Sequence, residues 1–206
     1  RDRRRRRRCA GVVDLFCGVG GLTHGLVPEG FDVVAGVDND ESCRYAFEAN
    51  NKADFIHKDI SKFTAKELKK LFRGAKKKIL VGCAPCQPFS SLNREKVTHQ
   101  VSDERWQPLV RFMELIKETK PDIVSMENVP DLTNTEKYPV FGQFLRTLSE
   151  NGYAVSVREV DISHYGVPQR RNRLVLLAAR HGEIKLIAEP HNDGNLATVR
   201  DVIGGL

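Results

Sequence analysis

Two cysteines three residues apart, a glutamate directly behind an apolar run and a cluster of arginines are the side chains here best suited to covalent or acid–base chemistry. The segment Gly82 to Asn93 reads GCAPCQPFSSLN, and its core Cys83-Ala84-Pro85-Cys86 admits a disulfide-exchange pair, half of a zinc site or a single nucleophile. Disulfide exchange sets its first cysteine at the start of a helix, whereas Pro88 and the polar stretch behind it make a different entry. A structural zinc needs four ligands, and the chain has no second C-x-x-C and no H-x-x-x-H. Cys86 alone is the better candidate nucleophile, with Cys83 a small buried residue closing a strand.

Glu127 and Asn128 follow DIVSM, where a carboxylate is poorly placed for bulk solvent and suits a pocket acid better than a surface charge. Gln169-Arg170-Arg171-Asn172-Arg173 leads into RLVLLAA; in a strand Arg171 and Arg173 project to one face, able to clamp a phosphate or a base carbonyl, or simply to line a solvated strand entrance. Asp14-Leu15-Phe16-Cys17-Gly18-Val19-Gly20-Gly21 sets three glycines in a strand-to-helix turn, a nucleotide-type cradle or a plain tight turn. Asp38 then suits ribose hydroxyls and Asp59 an adenine amino group, although Asn39 or Asp40 equally suits a helix cap.

These groups need a scaffold that gathers them. Apolar, β-branched runs at 12–16, 32–37, 78–82, 122–126, 153–160 and 173–179, with a short third strand ending at Lys58-Asp59-Ile60, alternate with helical patterns at 41–51, 64–74, 105–120 and 138–152. That alternation predicts an α/β fold, a doubly wound and mostly parallel sheet whose strand ends carry the site. The stretch 93–104 is polar and aperiodic, which predicts a functional loop.

Composition sets the outer bounds. The formal charge of +6 resides in RDRRRRRR, residues 1–8, since residues 9–206 balance to zero. Such a run neutralises phosphates without sequence preference, or is an appended or disordered segment. One domain over residues 9–206 is expected. Five cysteines, an odd number without a secretion signal, argue for reduced thiols; no apolar run spans a bilayer, so a cytoplasmic protein with no metal and no membrane partner is expected.

DLFCGVGGL, VDND, KDI, GCAPCQPFS, MENVP and QRRNR, in this order from Val12 to about Arg180, resemble the motifs of the DNA (cytosine-5)-methyltransferases. The resemblance implies a Rossmann-like methyltransferase fold, S-adenosyl-L-methionine as cofactor and double-stranded DNA as partner. It implies that Phe16, Gly18, Gly20, Gly21 and Pro85 shape the cofactor pocket, that Asp38 with Asn39 holds the ribose, and that Asp59 with Ile60 recognises adenine. Cys86 would be the nucleophile, Glu127 the acid at the base, Arg171 and Arg173 the holders of the base carbonyl, and Gln87, Ser90, Asn128 and Gln169 substrate contacts. The base would be flipped out of the duplex to react. A member of the family continues beyond QRRNR into a target recognition region and further motifs, so the chain is expected to be a catalytic portion, either a fragment or one subunit whose partner chain supplies the rest. A tRNA-directed relative, an idle cofactor-binding subunit and a redox protein are the competing readings.

Overall fold

The computed structural model describes residues 8–85, 106–191, 194 and 196–205. The β-branched runs pair into one seven-stranded sheet in the order β3-β2-β1-β4-β5-β7-β6. Its strands are β1 (Arg8–Leu15), β2 (Asp32–Asp38), β3 (Asp54–His57), β4 (Ala75–Gly82), β5 (Ile123–Asn128), β6 (Ala154–Asp161) and β7 (Asn172–Ala179). The first five run parallel, and β7 is antiparallel to both β5 and β6. The helices are α1 (Gly21–Leu26), α2 (Arg44–Asn50), α3 (Ala65–Leu71), α4 (Gln107–Thr119), α5 (Pro139–Glu150) and α6 (Val199–Ile203). The doubly wound, mostly parallel α/β sheet is as the sequence predicts.

Alternation along each strand sends its side chains to two cores. Val13, Leu15, Leu80, Val124 and Met126 face α3, α4 and α5, while Val12, Val33, Ile79 and Val81 face the side of α1. In α4 the buried Leu109, Phe112, Met113, Leu115 and Ile116 recur at helical spacing, and Phe112 meets Phe144 of α5 edge-to-face with centroids 5.7 Å apart. Successive connections run from β1 to β2 and β3 on one side and from β4 to β5 on the other. The switch therefore falls between β1 and β4, where the carboxyl ends of the strands open a crevice.

Two local differences from the sequence reading bear on the site. Asp59 does not end the third strand: β3 stops at His57, and Asp59 caps a short 3₁₀ turn, Ile60–Lys62, by accepting from the Ser61 amide. Likewise β7 begins at Asn172, so Arg171 precedes the strand.

Candidate active site

The glycine turn is built by backbone conformations that side chains resist. Phe16 leaves β1 with a φ of 58°, followed by Gly18 at 50° and Gly20 at 92°. A non-glycine residue in this left-handed region costs about 1–2 kcal/mol, and Phe16 is held there by an edge contact with Phe112, centroids 6.4 Å apart. Gly20 has no room for a side chain, since a Cβ would sit 2.5 Å from Asn51 Nδ2 and 2.7 Å from the Phe47 ring. A Cβ on Gly18 would meet no atom within 4 Å, so the open side of the turn is at Gly18.

Asp38 ties this turn to the end of β2. Its Oδ2 accepts from the Gly18 amide at 2.8 Å and its Oδ1 from the Asp40 amide at 3.0 Å. Each carboxylate oxygen retains a second acceptor site for a ligand hydroxyl. The helix-capping alternative belongs to Asp40, which accepts from Ser42.

Behind the turn, Asp14 is sealed within β1 at 1% exposure, a charged residue in an apolar strand. Its Oδ2 accepts from Thr23 Oγ1 of α1 at 2.7 Å, and Oδ1 has no hydrogen-bond partner among the described residues. Burial pushes its carboxyl up to about 7, with Asp38 adding to the rise.

The crevice between β1 and β4 is a cleft of about 520 Å³. Phe16, Asp38, Asn39, Asp59, Ile60 and Pro85, which the family resemblance assigns to a cofactor, line it together, with Gly18, Gly20 and Gly21 in the turn beside Phe16. Asp59 Oδ1 accepts from both the amide and the hydroxyl of Ser61 at 2.8 Å, and these bonds hold its carboxyl below the usual range. Lys58 also lines the cleft, but its ammonium is paired with Glu67 at 2.6 Å. Two carboxylates and a glycine turn suit a ligand with hydroxyl and amino donors and a positive centre, and disfavour one with phosphates. The residues present therefore fit a sulfonium nucleoside.

A second group sits at the ends of β4, β5 and β7. Glu127 is opposite Val175 in the antiparallel ladder, so Arg173 is its diagonal neighbour on the same face. Arg173 Nε meets Glu127 Oε1 at 2.6 Å, with side-chain exposures of 15% and 38%. Asn128 is buried; its amide donates to the Ala84 carbonyl at 3.2 Å and its Oδ1 accepts from the Val129 amide. It anchors the segment two residues before Cys86. Arg171 is exposed and its amide donates to Asp161 Oδ1 at 3.3 Å; Gln169 is exposed. Cys86, Gln87, Ser90 and the stretch 93–104 lie outside the described residues.

Cys83 is the residue that sequence reasoning undervalued. It lines the cleft, and its thiol lies within the influence of the Glu127 carboxylate. Burial, then the charges of Glu127 and Asp14, push the thiol up to about 12, the reverse of the acidic first cysteine that disulfide exchange requires. Asp14 was equally undervalued, although an acid inside an apolar strand was a visible signal. Among the described residues there is no group of three or more His, Cys, Asp or Glu placed to hold a metal, and no helix long and apolar enough to cross a membrane.

Comparison with known proteins gives consistent matches. The profile of the C-5 cytosine-specific DNA methylases matches residues 10–203. The Type II methylase M.HgiDII of Herpetosiphon aurantiacus is 52% identical over 195 residues, 95% of this chain and 54% of its own length. The Type II methyltransferase M.XorII of Xanthomonas oryzae pv. oryzae is 34% identical over 199 residues, 94% of this chain and 46% of its own. A crystal structure described as a DNA modification methyltransferase encoded within an E. coli prophage superposes with a TM-score of 0.75 at 26% identity, covering 96% of this chain and 55% of that one. The Entamoeba histolytica methyltransferase EhMeth, with a TM-score of 0.70 at 22% identity over 87% of this chain and 56% of its own, shares the fold. The chain spans about half the length of the curated relatives it matches.

Proposed function

This chain belongs to the C-5 cytosine-specific DNA methylase family, and from that premise we propose that it carries methyl transfer from S-adenosylmethionine to carbon 5 of a flipped cytosine in DNA. The observation that carries the proposal is the Glu127–Arg173 pair at 2.6 Å, set beside a cleft lined by Asp38 and Asp59. Such a pair suits the ring nitrogen and carbonyl of a base, and such a cleft suits a cationic nucleoside.

Asp38 accepts hydrogen bonds from ribose hydroxyls, Asp59 from the adenine amino group, and Phe16, Ile60 and Pro85 supply apolar walls. Bound there, S-adenosylmethionine supplies an electrophilic methyl group. Carbon 5 of cytosine is too weak a nucleophile to accept it unaided. The Cys86 thiolate therefore adds to carbon 6, which turns the ring into an enamine and raises electron density at carbon 5. Glu127 hydrogen bonds ring nitrogen 3 and shares a proton with it as charge develops, while Arg173 holds the carbonyl oxygen. Once carbon 5 bears both the methyl group and its original proton, transfer of that proton to water expels the Cys86 thiolate and restores the aromatic ring. The base must leave the stack to meet these groups.

Polypeptide equivalent to the remainder of the relatives' length, in the same chain or in a second one, supplies target recognition and part of the DNA grip. The setting is the cytoplasm, with the host DNA as substrate. The test mixes the chain with S-adenosylmethionine and duplex DNA bearing 5-fluorocytosine, with and without that polypeptide. The fluorine blocks release, so a covalent adduct accumulates. The expected result is an adduct lost in Cys86→Ser and kept in Cys83→Ser; loss in both variants sinks the single-nucleophile assignment.

A further inference from the structure

Cys83 stands where the cleft and the base-side pair meet, yet the mechanism above leaves it without a task. Its position follows from strand register. Parallel pairing sets Gly82 opposite Met126, so the next residues, Cys83 and Glu127, emerge side by side at the ends of β4 and β5. Alternation sends both to the face of the sheet that carries Val81 and Asp14. The Cys83 thiol stands beside Glu127 on one side, close enough to feel its charge, and Arg173 of β7 reaches Oε1 from the other at 2.6 Å. Asp14 of β1 also acts on the thiol, so acidic groups flank it on two strands. With its ionisation pushed up to about 12, the group is an S–H donor throughout the working range.

We infer that Cys83 is a positioning residue for Glu127, whose S–H fixes the carboxylate against Arg173 and holds it toward the base. A glutamate side chain has three rotatable bonds, and one ion pair at 38% exposure leaves much of that freedom. A second donor from a neighbouring strand removes it before the base arrives, which is pre-organisation of the kind that raises kcat rather than affinity. Because Cys83 also lines the cleft, the same side chain is both a wall of the cofactor site and a brace for the acid. The inference rests on the assignment of Glu127 to the base, made above.

Two measurements test it. Steady-state methyl transfer is followed in whichever preparation forms the 5-fluorocytosine adduct, the chain alone or with the complementing polypeptide. Cys83→Ala, which loses the donor, is expected to lower kcat about fivefold with KM for DNA little changed, and Cys83→Ser, which keeps a donor, to restore it. Equal losses in both variants, or a change confined to KM, overturn the role. On the folded chain itself, alkylation of Cys83 at about pH 9 is located by fragment mass spectrometry. Glu127→Gln removes a charge and an acceptor that hold the thiol protonated, and is expected to speed alkylation about tenfold. Unchanged alkylation overturns the positioning role alone. Faster alkylation with undiminished methyl transfer in Glu127→Gln overturns the assignment of Glu127, and the positioning role with it.

Discussion

Asp14 shows what a single buried carboxyl does to a fold of this kind. In the unfolded chain it titrates near its ordinary value of 3.8, and in the folded chain near 7. Between those values the folded state holds a proton that the unfolded state has released, so stability falls as pH rises through this window. The contribution is complete below about pH 4 and lost above about pH 7, a change of about 4 kcal/mol. Asp14→Asn keeps an acceptor for Thr23 and cannot ionise. Its stability relative to wild type is therefore expected to improve by that amount between pH 4 and 8, in urea denaturation at a series of pH values; a constant difference would mean that Asp14 does not titrate in the window. At the base side, Arg173→Lys retains charge but not the planar donor that meets Glu127 at 2.6 Å. Methyl transfer is expected to drop about a hundredfold in single-turnover kinetics, and near-wild-type rates in the lysine variant would remove the guanidinium from the mechanism.

Among the elements, the glycine turn separates stability from binding. Gly20→Ala forces a Cβ to within 2.5 Å of Asn51 and 2.7 Å of Phe47 at a φ of 92°, so a loss of roughly 3 kcal/mol is expected by equilibrium denaturation. Gly18→Ala meets nothing within 4 Å and carries only the conformational penalty, roughly 1 kcal/mol, but its methyl enters the space before the turn. It is expected to leave the fold largely intact and to weaken S-adenosylmethionine binding in calorimetric titration; the opposite ranking would mean that the ligand does not approach the turn. Most of this scaffold was legible in the sequence, because β-branched runs and helical spacing depend on local residue order. The run DFIH at Asp54–His57 was too short to separate from Lys58-Asp59-Ile60, so the end of β3 was placed late. Helix α1, GLTHGL, with two glycines in six residues, carries no apolar period to announce it. What sequence order cannot convey is register: the pairing of Gly82 with Met126, and of Glu127 with Val175, decides that Cys83, Glu127 and Arg173 meet. For the same reason Cys83 read as a bystander, and Arg171 and Arg173 as an equal pair, when only Arg173 lies within β7.

For the whole molecule, charge and chemistry occupy different parts of the chain. Seven arginines and one aspartate in residues 1–8 account for the entire excess of +6, and residues 9–206 carry none. The cofactor cleft is acidic, which suits a cation but does nothing for DNA, and Arg173 is committed to Glu127. Non-specific attraction to a polyanion therefore has a concentrated source in residues 1–8, and a second basic stretch at 66–78, seven basic residues against Glu67, lies within the balanced body. Each arginine engaged with a phosphate releases condensed counterion and adds about 0.9 to the slope of log affinity against log salt. Removing residues 1–8 is expected to weaken non-specific duplex binding at low salt and to flatten that slope by up to about 6, measured by fluorescence anisotropy at several salt concentrations. An unchanged slope would place the grip in the balanced body, where it would have to come from a local arrangement of basic side chains despite zero net charge. A flattened slope with adduct formation on 5-fluorocytosine DNA preserved would separate the two tasks: the first eight residues gather DNA, and the ends of β4, β5 and β7 act on the base.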